Sequence, residues 1–317
     1  MKPDRTQGAC AVNIKKYEAF IRAVELGSLS KAAEELGYTQ SGISHMMQSL
    51  EEEVGFPLLV RTPSGIVPNA EGEMLLPAIR RLLSTNDALA QTIAKIKGAD
   101  TGKVRVIAFP SVAAYWLPAI AGRFQRDYPQ VEVVIREGDE DTVAGAMEAH
   151  EADFCIDAGG TARTLEWMPL CRDRLMAVFS QGHQLAGEPA VTLEMLRGER
   201  LLLPQKGYGC EAHPVLERIP EESEVRFITC SEYVALSMVA AGLGVSVLPE
   251  LLLRHYQAGT VSVPLKPAQY RTLGIGVPRQ AAASPAVQNF MGYVRAYVEK
   301  TGQNGAMPAL AADTRES

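Results

Sequence analysis

The chain of 317 residues predicts an α/β fold built in parts. Three observations carry this. Two short helical segments with a small-residue turn lie near the N-terminus, and a long amphipathic stripe follows residue 70. Beyond residue 101, apolar runs of strand length alternate with helical periods. The expected organisation is a helix-turn-helix with a β-hairpin wing over 12–69 and a linker helix over 70–98. A C-terminal α/β domain over 101–300 follows, and 301–317 is a small-residue-rich tail without fixed structure.

Residues 28–50 hold the first observation. Ala32 and Ala33 are small enough for a second helix to cross closely, and Gly37 stands where the chain leaves the first helix with positive φ. Ile43, Met46, Met47 and Leu50 then repeat at helical spacing. A small residue, a glycine four later and an aliphatic at 43 make the spacing of a helix-turn-helix, whose second helix enters the DNA major groove. Its outer face offers Thr39, Gln40, Ser41, Ser44, His45, Gln48 and Ser49, with no carboxylate between Gln40 and Leu50. Short neutral polar groups of this kind hydrogen-bond base edges and phosphates. An ordinary helical hairpin with a polar outer face is the alternative from spacing alone.

The flanking sequence decides between them. Gly55 ends the helix, and short apolar runs on either side of Pro63-Ser64-Gly65 form a hairpin that leans on the phosphate backbone. The helix-turn-helix, wing and long helix from about residue 70, in that order from Val12 to Asn69, resemble the LysR-type transcriptional regulators. His45, Leu59 and Pro68-Asn69 depart from the commoner residues of that family, which bears on base preference and not on fold. The resemblance implies double-stranded promoter DNA as a partner. The DNA-contacting residues are then Ser30, Lys31, Tyr38, Thr39, Gln40, Ser41, Ser44, His45, Gln48 and Arg61.

Composition restrains this reading without opposing it. The net charge is −6, yet residues 1–100 carry 11 Lys/Arg against 12 Asp/Glu, so the acidity lies mostly in the remainder. Non-specific attraction to phosphate is therefore modest, and contacts must come from locally placed groups. No apolar run approaches the roughly 18 residues of a membrane span, and the N-terminus lacks a signal-peptide core, so a bacterial cytoplasmic, nucleoid-associated protein is expected. Cys10, Cys155, Cys171, Cys210 and Cys230 are odd in number and lack CxxC spacing, which reads as free thiols. The five histidines are scattered and offer no metal-ligand cluster, and no cofactor is expected.

In the long helix, Leu75, Ile79, Leu82, Asn86, Leu89, Ile93 and Ile96 are spaced 4-3-4-3-4-3. Such a stripe pairs with another helix or packs on the chain's own core. The resemblance, whose linker helices dimerise, favours a homo-oligomer, either a dimer or a dimer of dimers. Pro77 is expected to kink the first turns. The polar, glycine-punctuated stretch Lys97–Gly102 is the best domain boundary in the chain.

Beyond it, Val104–Phe109, Val131–Ile135 and Asp153–Ile156 are strands, with helices over Leu117–Phe124 and around Val143 and Met147. A β-α-β-α-β order argues for a parallel sheet. A second set runs through Leu175–Phe179, Leu201–Leu203, Val225–Ile228 and Val245–Leu248, before Leu273–Val277 returns to the first sheet and Ala286–Glu299 forms a last helix. Two lobes result, about 101–173 with 271–300 and about 174–270, joined by crossing strands around a cleft.

This half looks like the effector-binding domain of the same family, similar in fold to periplasmic solute-binding proteins. The resemblance puts a small-molecule effector of unspecified identity between the lobes. Pro110, Ser111 and Val112 lie on one wall, Ser111 capping the helix that holds Leu117-Pro118; Leu203, Pro204, Gln205, Lys206 and Val245 lie on the other. Asp139 either meets a ligand donor or caps a helix, and Lys206 either meets a ligand anion or points into solvent.

No Gly-x-Ser-x-Gly elbow, phosphate-gripping glycine loop or His-Glu-x-x-His pair supports an enzyme. A thiol-redox regulator of the same fold is the closer alternative, on Cys171, Cys210 and Cys230, and a solute-binding receptor the more distant one. The expectation is a regulator whose bound effector shifts the placement of its DNA-binding units, and with it DNA bending and contact with RNA polymerase.

Overall fold

A computed structural model describes residues 13–97, 100–159, 164–204, 215, 225–229, 231–254, 259–279 and 283–303. The chain divides into two compact units, residues 1–90 and 91–317.

The first unit begins with α1 (Ile14–Leu26), whose N-terminus is capped by Asn13 Oδ1 accepting from Lys15 N at 3.2 Å. α2 (Leu29–Leu36) and α3 (Gln40–Val54) follow, capped by Ser28 and Thr39. Gly37 and Gly55 close them in the left-handed region, at φ 71° and 89°, as the sequence predicts. Ala32 and Ala33 are buried where α2 meets its neighbours, and Phe20, Ile43, Met47 and Leu50 build the core between the helices. A hairpin of β1 (Leu59–Thr62) and β2 (Gly65–Pro68) is the wing, paired from Leu59↔Pro68 to Thr62↔Gly65.

The linker α4 (Ala70–Ile96) starts at Asn69, whose Oδ1 accepts from Gly72 N at 2.8 Å. It runs as one helix with Pro77 inside it. The second unit begins at Gln91, inside α4; Gln91 is buried, and its side chain lies where a Cβ at Gly102 would stand.

In the second unit, β3 (Gly102–Ala108), α5 (Pro110–Tyr115), α6 (Leu117–Asp127), β4 (Val131–Glu137), α7 (Glu140–Glu148) and β5 (Phe154–Asp157) give the predicted alternation. β3 pairs in parallel with both β4 and β5. Period-two alternation along β3 buries both faces. Val104 and Val106 face a core with Trp116, Phe124 and, from the last helix, Phe290. Ile107 faces Val143 and Met147 of α7.

β3, β4 and β5 are parallel, as their β-α-β-α-β order predicts, and the sheet as a whole is mixed because three later strands join it antiparallel. β6 (Leu165–Ser180) and β10 (Thr260–Pro278) are long strands paired antiparallel along most of their length. Leu175–Phe179 and Leu273–Val277, read as separate short strands, are sections of these two. Between them come β7 (Leu201–Pro204), β8 (Val225–Thr229), α8 (Glu232–Ala240), β9 (Ser246–Pro249) and the short α9 (Glu250–Leu253). The main sheet has the order β4-β3-β5-β10-β6-β9, and β7 pairs with β8 in parallel. The sequence-derived lobe boundary falls at one rung of the long ladder, Arg271↔Asp173 beside Tyr270↔Arg174. The last helix, α10 (Pro285–Gln303), covers the first core and takes in Thr301, Gly302 and Gln303, which the sequence reading left to the tail; 304–317 lie outside the described residues.

Candidate nucleic-acid interface and effector cleft

The α3 ridge is presented by its own packing. Ile43, Met47 and Leu50 point into the core, so the remaining faces of the same turns must point outward. Tyr38, Thr39, Gln40, Ser41, His45 and Gln48 are exposed and Ser44 is half-exposed. Ser30 and Lys31 are exposed on α2 and Arg61 on the wing, so all ten predicted DNA-contacting residues reach the surface of the first unit. Thr39 is also a structural residue, since its Oγ1 accepts from Gly42 N at 3.1 Å. Gln48 donates from Nε2 to Glu52 Oε1 at 3.0 Å. Ser49 belongs elsewhere: it is half-buried and accepts from Lys16 Nζ at 2.8 Å, beside the Lys16–Glu53 ion pair.

Wing and ridge are tied together. Glu51 Oε1 on α3 accepts from Leu58 N (2.7 Å) and Leu59 N (3.2 Å) at the wing's entry. On the far strand, Ile66 N donates to Gly27 O at 3.0 Å, fixing the wing to the end of α1. Asn69 Nδ2 closes the base by donating to Pro57 O at 2.8 Å. Reading from sequence missed Glu51 and Asn69, because their partners are backbone groups brought near only by the fold.

The linker stripe is split in two. Ile79 is buried and Leu75 half-buried within the first unit's own core, beside Leu76 and Leu83, which removes them from the predicted seam. The early turns of α4 follow directly on the wing, and their 3–4 period faces that core. Leu82 is half-buried; Asn86, Leu89, Ile93 and Ile96 are exposed.

The predicted effector residues fare unevenly. Ser111 does not cap a helix. Phe109 holds the cap position of the six-residue α5 without a side-chain bond, and Leu117 opens a separate helix. Ser111 is instead the second residue of α5 and fully buried. Its Oγ accepts from Arg271 Nη2 at 2.7 Å, and Arg271 Nε donates to Asp173 Oδ2 at 2.8 Å. Asp173 Oδ1 takes Leu251 N at 3.1 Å. Val112 is buried in the first core and Val245 in the second. Val245 binds through its backbone to Arg200 O and Leu202 N. Neither valine side chain lines an open wall, because each sits on the inward face of its element. Pro110 is half-buried, and Asp139 caps α7 by accepting from Thr142 N at 2.8 Å. Leu203 and Pro204 lie on β7, and Gln205 and Lys206 fall outside the described residues.

Sequence reasoning missed the ion cluster itself. Asp173 on β6 and Arg271 on β10 face each other across the ladder, both almost fully buried. Burial pushes the Asp173 carboxyl above its usual range, against the pull of Arg271. Glu232, first residue of α8, feels the same two groups, and burial raises it as well. Close by, Tyr115 of α5 and Tyr233 of α8 share a hydrogen bond; burial first, then that bond, lifts the Tyr233 phenol far above its usual range. Arg172-Asp173-Arg174, three charges inside a strand, was the available signal.

Two of the cysteines are described. Burial, followed by the nearby Asp157, drives the Cys155 thiol far above its ordinary value, and burial with Asp173 pushes Cys171 up to about 12. Both are poor thiolates. Cys10, Cys210 and Cys230 lie outside the described residues. Among the described residues no group of His, Cys, Asp and Glu is arranged to hold a metal ion.

Two family models match the chain. The LysR-family bacterial regulatory helix-turn-helix matches residues 14–73, and the LysR substrate-binding domain matches 97–299. The chain belongs to the LysR family of transcriptional regulators. It is therefore a DNA-binding regulator with an effector-binding domain. Among its LysR-family relatives, the uncharacterized regulator YeiE of Escherichia coli is 30% identical over 294 residues, covering 89% of this chain and 97% of that one. YvbU of Bacillus subtilis, also uncharacterized, is 26% identical over 283 residues, 88% and 97% of the two chains. Among solved structures, a full-length OxyR variant from Pseudomonas aeruginosa aligns with TM-score 0.70 at 21% identity, covering 90% of this chain and 97% of that one. Full-length CbnR in complex with its target DNA aligns with TM-score 0.63 at 18% identity, covering 90% and 100%. These likenesses are of fold.

Proposed function

We propose that this LysR-family protein reads promoter DNA with the neutral polar ridge of α3, with Gln40 and Ser44 at the base edges and Lys31 and Arg61 on phosphates. The observation that carries the reading is the rigid seat of that ridge. Its apolar face is buried and Glu51 holds the wing beside it through two backbone bonds. The complex of CbnR with its target DNA supports duplex DNA as the partner. A small-molecule effector in the second unit would bias the placement of paired DNA-binding units, and with it contact with RNA polymerase. The protein acts by binding and not by catalysis, as a homo-oligomer in the cytoplasm; no helix among the described residues is long and apolar enough to cross a membrane. Of the three cysteines behind the thiol-switch alternative, Cys171 is described and is buried, which favours the effector reading.

Gln40→Ala with Ser44→Ala tests the ridge. The double variant should keep its helical circular dichroism and lose at least tenfold in affinity for the preferred site, since base contacts carry about 1–3 kcal/mol each. Footprints that match the parent at equal concentration would assign sequence reading to another face.

A further inference from the structure

Among the described residues, the cluster at the junction of the two lobes holds more carboxylates than cations. Arg271 is the described cation, and both oxygens of Asp173 are already used, Oδ2 by Arg271 Nε at 2.8 Å and Oδ1 by Leu251 N at 3.1 Å. Arg271 spends a further donor on Ser111 Oγ at 2.7 Å. Glu232 comes second to this pair. Its Oε2 is shut off from solvent and has no hydrogen-bond partner, although the residue as a whole keeps some exposure. A buried carboxylate oxygen without a donor is the costly state of such a group, and a bound proton removes the charge.

We propose that the carboxyl of Glu232 is a proton-binding site, held as the neutral acid in the folded domain while Asp173 stays ionised against Arg271. The ligand is the proton itself, and the site lies where α8 meets the two long strands common to both lobes. Geometry divides the coupled pair. Asp173 has a donor on each oxygen and is the better anion, so the shared proton goes to Glu232. The upward direction of the Glu232 shift, led by burial, agrees, while at Asp173 the same burial is opposed by Arg271 and by the two donors.

Among the described residues the surrounding charges are few. From β6 comes Asp173, with Arg172 and Arg174 alternating to the other face of the strand and Arg172 stacked on the Tyr270 ring at 4.1 Å. β10 brings Arg271, and α9 brings Glu250, whose charge acts on Asp173. α5 and α8 bring Tyr115 and Tyr233, with Glu137 of β4 acting on Tyr233. β7 and β9 carry no ionisable residue, and β8 carries Arg226. The N-terminal position of Glu232 on α8 favours the anion, which opposes the effect of burial.

The sign of the linkage gives the test. A carboxyl whose folded value lies above its unfolded value stabilises the fold at low pH, and that stability is lost as pH rises from the unfolded value through the folded one. Glu232→Gln keeps a neutral, near-isosteric group and lacks this slope. Melting temperatures of the full chain are compared from pH 5 to pH 8 for parent and variant. The difference, variant minus parent, should climb with pH by roughly 3–6 °C. A difference that falls with pH means an ionised Glu232 paired with Arg271 and overturns the proposal; so does a flat one. Infrared difference spectra at pH 7 give a second reading. Loss of a protonated-carboxyl carbonyl band in the variant supports the site, and loss of an ionised-carboxylate band refutes it. Glu232→Leu serves for both measurements if the amide variant does not fold. Neither measurement involves DNA, so failure here leaves the reading of the α3 ridge untouched.

Discussion

Arg271 shows how much one side chain must be given before a charge stays inside a protein. It is 5% exposed, and Asp173 and Ser111 are among its partners. Removing a partner from a buried donor costs more than the bond contributed, because the donor loses its water without replacement. Ser111→Ala should therefore destabilise the second unit by about 1–3 kcal/mol, although it deletes a single oxygen. Both tryptophans, Trp116 and Trp167, lie in that unit, so intrinsic fluorescence in a urea titration of the full chain follows it selectively. An unchanged midpoint would mean that the hydroxyl is dispensable to Arg271. The same residue marks a limit of sequence reading. Its position after a strand marks Ser111 as a cap and ligand-holder, whereas its partner Arg271 lies 160 residues away in the chain. Nothing local announces a contact of that separation.

At the level of elements, most of the N-terminal architecture was legible because its signals are local. Caps, a glycine at each helix end and the spacing of Ile43, Met47 and Leu50 all act within one or two turns. The C-terminal strands were legible where they are continuously apolar and were truncated where they are not. Charges at 172–174 in β6, and Pro264, Lys266 and Pro267 in β10, interrupt the pattern, although the ladder continues past them. The wing gives the sharpest element-scale prediction. Gly65 has φ 132°, and a Cβ there would lie 2.4 Å from Gly27 O, the carbonyl that receives Ile66 N. Backbone atoms cannot step aside as a flexible side chain can, so Gly65→Ala combines strain with a clash. Its cost should exceed about 1 kcal/mol, while Ser64→Ala in the exposed turn beside it stays within about 0.5 kcal/mol. Hydrogen exchange over residues 13–69 of the full chain should accelerate in the first variant only. Equal protection in both would show that the hairpin re-seats without Gly27.

Over the whole molecule, two properties determine how the protein meets partners: where charge accumulates and which apolar surface is left over. Acidic residues outnumber basic ones mainly beyond residue 100, so attraction to nucleic acid depends on the placement of a few groups in the first unit. The apolar surplus is on α4. Leu89 is 60% exposed, Ile93 44% and Ile96 81%, a density of apolar surface that a single helix in water does not need. Covering such side chains gains roughly 1–2 kcal/mol each, counted on both copies in a symmetric pair. That is enough to hold two protomers together if the stripes align, and Asn86 among them would set where they align. With Leu75 and Ile79 packed in the first core, the pairing is left to the C-terminal turns. Leu89→Asp with Ile93→Asp should then drop the weight-average mass in sedimentation equilibrium toward the 34.3 kDa monomer, with fluorescence and circular dichroism unchanged. Asn86→Leu should instead keep or strengthen association and alter its geometry. If the double aspartate variant sediments like the parent, self-association runs through another face, and the exposed stripe has a different occupant.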